Sequence, residues 1–395
     1  MFCALRLARS GVRGIAIAER NDRVGRKLSA TGNGQGNVTN EHMSPSHYFS
    51  STGSAEGVLN SFGKDDLLQT LQELGGLFYA DETGRVYPAS RQASSVTDLL
   101  RFALARFGVQ TLTQTKISRV YYQEGMFYAE AEGEKICAKQ LVLACGGKAS
   151  PHFGSDGAGY GLAKCFGHTC TSLAPSLVQL KTDRESIRGL KGIRSDCEVT
   201  LLRGSGEKER EICRYRGDVL FTDYGVSGDA IFRTSAFVRE RDKLEIDFLP
   251  QFMYDIVLCI LRNKSINYPK MTAEDLLRCI VNSAVGKVVL RVCGARFDAR
   301  AEEITLKLPS LVRCIKSFPL EVIGCMGFDN AQVTKGGVCM DELDETLMSR
   351  KQNDLYLIGE LVDVDGECGG YNLQWAFSSG AVAAEGIIKR GGYAV

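Results

Sequence analysis

The stretch from residue 353 to 388 constrains this chain most. It reads NDLYLIGE and then, from residue 364, VDGECGGYNLQWAFSSGAVAAEGII. The first part is an apolar strand ending in Gly359-Glu360. The glycine pair Gly369-Gly370 then opens a helix that carries the small residues Ala376, Ser378, Ser379 and Gly380. A helix N-terminus at a glycine pair combines close backbone approach with positive potential, which suits a ligand that carries or develops negative charge. A helix packed tightly on a sheet explains the small residues but not the preceding D-G-E-C-G-G.

Two other glycine-rich stretches share this style. GRKLSATGNGQGNVTN (25–40) reads as a long loop whose three closely spaced glycines expose backbone N–H groups, preceded by Arg26 and Lys27. It fits either an anion-contacting loop or a solvated surface loop. LVLACGG (141–147) is a continuous apolar run entering a glycine pair, as a buried parallel strand does when it feeds a ligand loop. With 43 glycines against only 8 prolines, neither collagen nor disorder accounts for the glycine.

Around these the pattern predicts a helix over 2–10 stopped by Gly11, then a strand over 14–19 ending at Glu19. Further helices are expected over 64–76 and 91–108, the latter with Ser94 or Ser95 as a cap. Strands follow at 115–122, 126–132 and 135–145, and a helix opens within 154–168. Three parts result: 1–175; an insert at 176–322, β-rich to 250 and helical over 251–294 with Thr272 as a cap; and 323–395. The order helix, strand, Glu19 is the second half of a dinucleotide-binding unit, or any αβ pair with an exposed acid. The first strand and the G-x-G-x-x-G turn are missing.

The 48 basic and 47 acidic residues give a net charge of +1, so charge offers no argument for nucleic acid or an anionic membrane. No apolar run reaches the roughly 18 residues of a spanning helix, and MFCALRLARSG lacks a signal-peptide cleavage site. The 14 cysteines are scattered without any C-x-x-C, which reads as reduced thiols in a cytoplasmic protein. The four histidines form no zinc-like cluster, and no metal is expected.

Taken together, GRKLSATGNGQGNVTN, LVLACGGKASPHFGSDGAGYGLAKCFGH, LFTDYGVSGDAIFRTSA, AQVTKGGV and GELVDVDGECGGYNLQWAFSSG resemble one family. It comprises the bile-acid Δ4,6-reductase-like and aminoacetone-oxidase-like NAD(P)/FAD-dependent flavoproteins, and the likeness covers nearly the whole chain. It implies an α/β fold: a two-part FAD-binding Rossmann-type domain interrupted by an insert with a β-barrel-like and a helical subdomain. FAD is the implied cofactor, with NAD(P)H as a possible reductant.

Carried over by position, the resemblance implies these contacts. Glu19 binds the adenosine ribose. Arg26, Lys27, Thr31, Gly32, Asn33, Gly34 and Asn37 line the pyrophosphate and isoalloxazine. Ala144, Gly146 and Gly147 pass the adenosine side, and Ile117 touches adenine through its backbone. Gly359 and Glu360 hold the ribityl and pyrophosphate region. Asp365, Gly370, Tyr371, Asn372 and Leu373 surround the flavin pyrimidine edge. No catalytic acid or base is assigned. Where the family reads G-R-C-N, this chain has Gly34, Gln35, Gly36 and Asn37. Where it reads F-T-H and S-G-P-A, this chain has Asp223 and Asp229, so the family's histidine role does not transfer.

Family members begin with a strand and G-G-G-x-x-G ahead of a segment like MFCALRLARSG. The expectation is therefore of an N-terminally truncated member whose reading frame starts upstream. The implied function is hydride transfer through flavin N5, as in reduction of a conjugated, steroid-like enone. The alternatives are oxidation of a small amine and a non-enzymatic remnant with impaired FAD binding. The expected partner is a small molecule, with no nucleic acid and no membrane.

Overall fold

The computed structural model describes residues 1–392, so the last three residues of the expected third part lie outside it. The chain forms two compact units, one of 1–175 with the stretch from Gln332 onward, the other Ser176–Ala331.

In the first unit, Phe2–Arg9 is a helix and Gly11, at φ 82°, ends it by entering the left-handed region. Ala16–Ala18 follows as a strand parallel to Gln110–Leu112. The expected strand over 135–145 divides in two. Glu134–Ala138 closes an antiparallel meander with Arg119–Gln123 and Met126–Ala131. After a turn at Lys139-Gln140, Leu141–Leu143 runs parallel to Leu355–Leu357. Pattern alone joins the two pieces because both are apolar and only two polar residues separate them. The parallel strands form two separate pairs, and no strand of the described residues joins them. The loop expected over 25–40 contains a short helix, Arg26–Ser29, and a 3-10 turn, Thr31–Gly34. The helix expected over 91–108 spans Ala93–Arg106 and starts at Gln92, not Ser94 or Ser95; its first turn has no side-chain cap.

The long helix Tyr371–Gly391 organises this unit's core. Its buried residues include Trp375, Phe377, Val382, Ala384 and Ile387. Burial of each large side chain contributes about 1.5–3 kcal/mol. The first helix packs against this one at Gly380, where a methyl group would be in ordinary contact with Cys3, 3.4 Å from its nitrogen. Phe2 meets Phe62 and Phe377 edge-on at 5.6 and 5.1 Å.

The second unit contains a closed antiparallel barrel of six strands. In barrel order they are Leu180–Thr182, Gly225–Ser227, Arg210–Phe221, Arg194–Arg203, Lys243–Asp247 and Phe318–Cys325. Strict alternation builds it: Phe318, Leu320 and Val322 point into the core while Pro319, Glu321 and Ile323 face out. Helices Tyr254–Asn267, Ala273–Leu277, Ser283–Val292 and Leu308–Lys316 complete the unit. Thr272 is the cap expected for the second of these, its Oγ1 accepting the Asp275 N–H at 3.1 Å. The strand Phe318–Cys325 carries the barrel past residue 322, and the chain re-enters the first unit at Gln332. The fold is thus α/β, a Rossmann-type domain with a barrel-and-helix insert.

Candidate functional site

The helix N-terminus at Gly370 is open, since no side chain caps it. The left-handed φ of 100° at Gly370 makes the turn into the helix. A methyl group there would sit 2.3 Å from the Thr39 carbonyl oxygen and 2.8 Å from Asn37 Oδ1. The glycine pair thus brings the 37–40 segment against the helix tip. Asn40 Nδ2 donates to the Gly369 carbonyl at 2.9 Å, and Thr39 Oγ1 donates to Gln374 Oε1 at 2.6 Å. Gln374 continues the chain to Ser378 at 2.9 Å, and Ser378 to the Phe62 carbonyl at 2.7 Å.

Two buried polar atoms in this region have no hydrogen-bond partner: Asn37 Oδ1 and Asp365 Oδ2. Both residues are more than nine-tenths buried, at 8% and 2% exposed. A buried acceptor without a partner is costly, so such atoms point to a ligand that supplies one. Asp363, two residues from Asp365, is the opposite case. Its Oδ2 accepts from Ser51 N–H, Ser51 Oγ and Thr52 Oγ1 at 3.0, 2.7 and 3.0 Å. Burial pushes the Asp365 carboxyl up to about 7, opposed by Lys335 and reinforced by Asp363 and Glu360.

Around the helix tip, Tyr371 stacks on His47 at 4.6 Å and its carbonyl accepts the Tyr48 hydroxyl at 2.9 Å. Asn372 clasps Gly366 from both sides, accepting its N–H at 2.8 Å and donating to its carbonyl at 2.7 Å. Leu373 is half-buried beside the core. The Gly359-Glu360 turn is pinned to the same helix, with Trp375 Nε1 donating to the Gly359 carbonyl at 3.0 Å and Gly359 N–H donating to Ser379 Oγ at 2.9 Å.

Glu360 links this turn to the other glycine loops. Its Oε2 pairs with Lys27 Nζ at 2.6 Å and its Oε1 accepts the Thr334 N–H at 2.8 Å. Thr334 Oγ1 accepts the N–H groups of Lys148 and Ala149 at 2.7 and 2.9 Å. Gly147 is tightly enclosed, since a methyl group there would meet Glu360 Oε1 at 2.8 Å. Gly146 takes a φ of 72°, and Ala144 is exposed.

The remaining expected residues lie further along the loops. Glu19 Oε1 accepts the N–H and the Nδ2 of Asn21, both at 2.8 Å, and Asn21 Nδ2 reaches the Phe153 carbonyl at 3.1 Å. Arg26 Nη1 donates to Asn21 Oδ1 at 3.3 Å. Thr31 turns inward to the Leu28 carbonyl at 2.7 Å. Gly32, Asn33 and Gly34 are exposed, with left-handed φ of 58°, 54° and 84°. Ile117 is half-buried in an irregular segment. The Glu19 side chain hydrogen-bonds to Asn21 rather than to the helix tip. Sequence reasoning missed Asn21, Asn40, Thr334, Trp375 and Ser379. Thr334 carried a signal, the AQVTKGGV block, but its hydroxyl's role needs partners almost two hundred residues away. In the second unit, Asp223 is exposed and pairs with Lys191 at 3.0 Å.

No helix is long and apolar enough to cross a membrane, and no cluster of three metal-binding side chains occurs among the described residues. All fourteen cysteines are free thiols.

Glycine loops meet an open helix end on a Rossmann-type domain, and with its relatives this places the chain among FAD-dependent oxidoreductases. The chain belongs to the HI0933-like Rossmann-domain family, whose pattern matches residues 1–386. It is 36% identical over 400 residues to the 3-dehydro-bile acid delta(4,6)-reductase of Clostridium scindens, covering 99% of this chain and 97% of that protein. It is 27% identical to a ribosomal RNA dihydrouridine synthase of Haemophilus influenzae, covering 99% and 96%. Among solved structures, a 3-ketosteroid-delta4-(5alpha)-dehydrogenase from Rhodococcus jostii aligns over 97% of this chain and 94% of its own. The TM-score is 0.45 and the identity 14%, too distant to bear on function.

Proposed function

We propose that this protein binds FAD at the helix tip and reduces a carbon–carbon double bond conjugated to a carbonyl, with NAD(P)H as the reductant. The observation that carries the FAD reading is the pair of partnerless buried atoms, Asn37 Oδ1 and Asp365 Oδ2, beside an uncapped helix N-terminus. They fit a flat, polar-edged ring. Asn37 Oδ1 is an acceptor for a ring N–H, and the uncapped helix N-terminus at Gly370 offers positive potential to the edge where negative charge gathers. Lys27, Gly359 and Glu360 serve the ribityl and pyrophosphate region, Arg26 and the 31–34 turn flank it, and Glu19 takes the ribose. Ala144, Gly146, Gly147 and Ile117 pass the adenosine.

When bound and reduced by NAD(P)H, the flavin would supply a hydride from N5, and a proton would complete the addition across the double bond; that redox chemistry is the cofactor's own. The protein's part is to orient the ring and neutralise its charge. The substrate reading follows from the relatives. A bile acid with a 3-oxo group and Δ4,6 unsaturation, and the C5=C6 bond of uridine, are both alkenes conjugated to a carbonyl. The relative with 36% identity favours a small, steroid-like enone over RNA. No feature of this chain supports the amine-oxidase alternative.

The test is direct. Protein reconstituted with FAD is reduced anaerobically with NADH or NADPH, then offered steroid-like enones, uridine-containing RNA or small amines. Reoxidation by an enone, with saturated product, supports the reading. Failure to hold FAD, or reoxidation by none of the enones, overturns it. Reoxidation by RNA alone replaces the substrate.

A further inference from the structure

We propose that Asp365 serves as a neutral carboxylic acid, its Oδ2–H donating a hydrogen bond to an acceptor on the rim of the bound flavin ring. This rests on the FAD reading above and adds a consequence: cofactor retention depends on pH.

The geometry separates Asp365 from the acid beside it. Asp363 and Asp365 are two residues apart on one extended run, and both are 2% exposed. Asp363 is met by three donors from Ser51 and Thr52 and suits an ionised carboxylate. Asp365 Oδ2 has none. Asp365 sits on a two-residue strand, Asp365–Gly366, paired with Tyr48–Phe49 and four residues before Gly369-Gly370. An ionised carboxylate there would bury a charge whose Oδ2 meets no donor. It would also repel the ring's carbonyl oxygens, more so once the ring accepts electrons. A protonated one meets both demands, as buried neutral acids do in other enzymes.

The charged and titratable surroundings agree. Burial has the largest effect and favours protonation; Lys335, from the strand Val333–Lys335, opposes it, and Asp363 and Glu360, from its own run, add to it. From the paired strand and the residue before it come Tyr48 and His47, and beyond the Asp365–Gly366 strand lie Glu367 and Tyr371. His47 lies 3.4 Å from Glu367 and stacks on Tyr371. The test leaves His47 intact, so that only the Asp365 side chain changes.

The experiment measures FAD affinity by flavin fluorescence from pH 6 to 9 for wild type, Asp365→Asn and Asp365→Val. Asn keeps a neutral donor and every other group; Val keeps the shape without a donor. Wild-type affinity is expected to fall by up to about tenfold per pH unit above neutrality. Asp365→Asn should bind nearly as wild type does at pH 6 and show no such slope. Asp365→Val should bind more weakly at every pH. A flat wild-type profile, or the wild-type slope persisting in Asp365→Asn, overturns the proposal. So does Asp365→Asn losing affinity at pH 6, which would mean that the carboxylate is required as an anion. An infrared difference spectrum of wild-type holoprotein with isotope-labelled aspartate reads the proton without any variant. The protonated-carboxyl stretch should be present at pH 6 and lost towards pH 9; its absence at pH 6 also overturns the proposal. Wild type that binds no FAD at any pH overturns the FAD reading instead.

Discussion

Replacing Asp365 by Asn should stabilise the FAD-free protein, by an amount that depends on pH. Burial lifts this carboxyl from 3.8 to about 7 in the native state. The gap of roughly three units, at 1.36 kcal/mol each, corresponds to about 4 kcal/mol. The sign follows from proton uptake. Between pH 4 and 7 the native state holds a proton that the unfolded chain has released. Native stability therefore falls as pH rises through that window, and the deficit is complete above about 7. Asn does not titrate, so it removes the deficit. Asp365→Asn and wild type should be nearly equal at pH 4, with the variant ahead by up to about 4 kcal/mol at pH 7.5. Trp375 is the single tryptophan and is buried in this unit. Urea unfolding followed by its fluorescence therefore reports the right part of the molecule. A difference between variant and wild type that is the same at both pH values would refute the reasoning, because only a titrating native carboxyl makes it grow.

Gly370→Ala should abolish FAD retention and lower the melting temperature. The left-handed φ alone costs roughly 1–2 kcal/mol, and the new methyl would lie 2.3 Å from the Thr39 carbonyl; calorimetry and flavin absorbance check this. Thr334→Val leaves the Lys148 and Ala149 N–H groups without their acceptor, and should cost about 1–3 kcal/mol with weaker FAD binding. Glu342→Gln should destabilise by up to about 3 kcal/mol at pH 7. Desolvation raises this carboxyl, but donors from Lys351, Thr169 and His168 outweigh it and hold it at about 2. That stability is present above about pH 4.5 and lost as pH falls towards 2, so the gap between Glu342→Gln and wild type should close in acid. Urea titrations at pH 7 and pH 3 measure it.

Much of the frame was legible because it is written locally. The helix tip at Gly369-Gly370, the apolar strand ending at Gly359-Glu360 and the Thr272 cap each depend on neighbours within a few residues. So does the in–out alternation of Phe318–Cys325. The misreadings came where local pattern is ambiguous. The meander strand ending at Ala138 and the parallel strand beginning at Leu141 read as one, and a serine cap yielded to Gln92 when the helix start was fixed by packing. Glu19 and Ile117 could be named from the resemblance, but their relation to the helix tip could not.

By itself the sequence determined that glycine-lined turns would meet helix and strand ends, because glycine takes those backbone angles at least cost and tolerates such close approach. What the tertiary structure decided is the chemistry of otherwise identical side chains. Asp363 and Asp365 are the same residue two positions apart, yet one is met by Ser51 and Thr52, over three hundred residues away in sequence, and the other is not. Burial and partners are supplied by distant segments, and those set whether a carboxyl holds its proton.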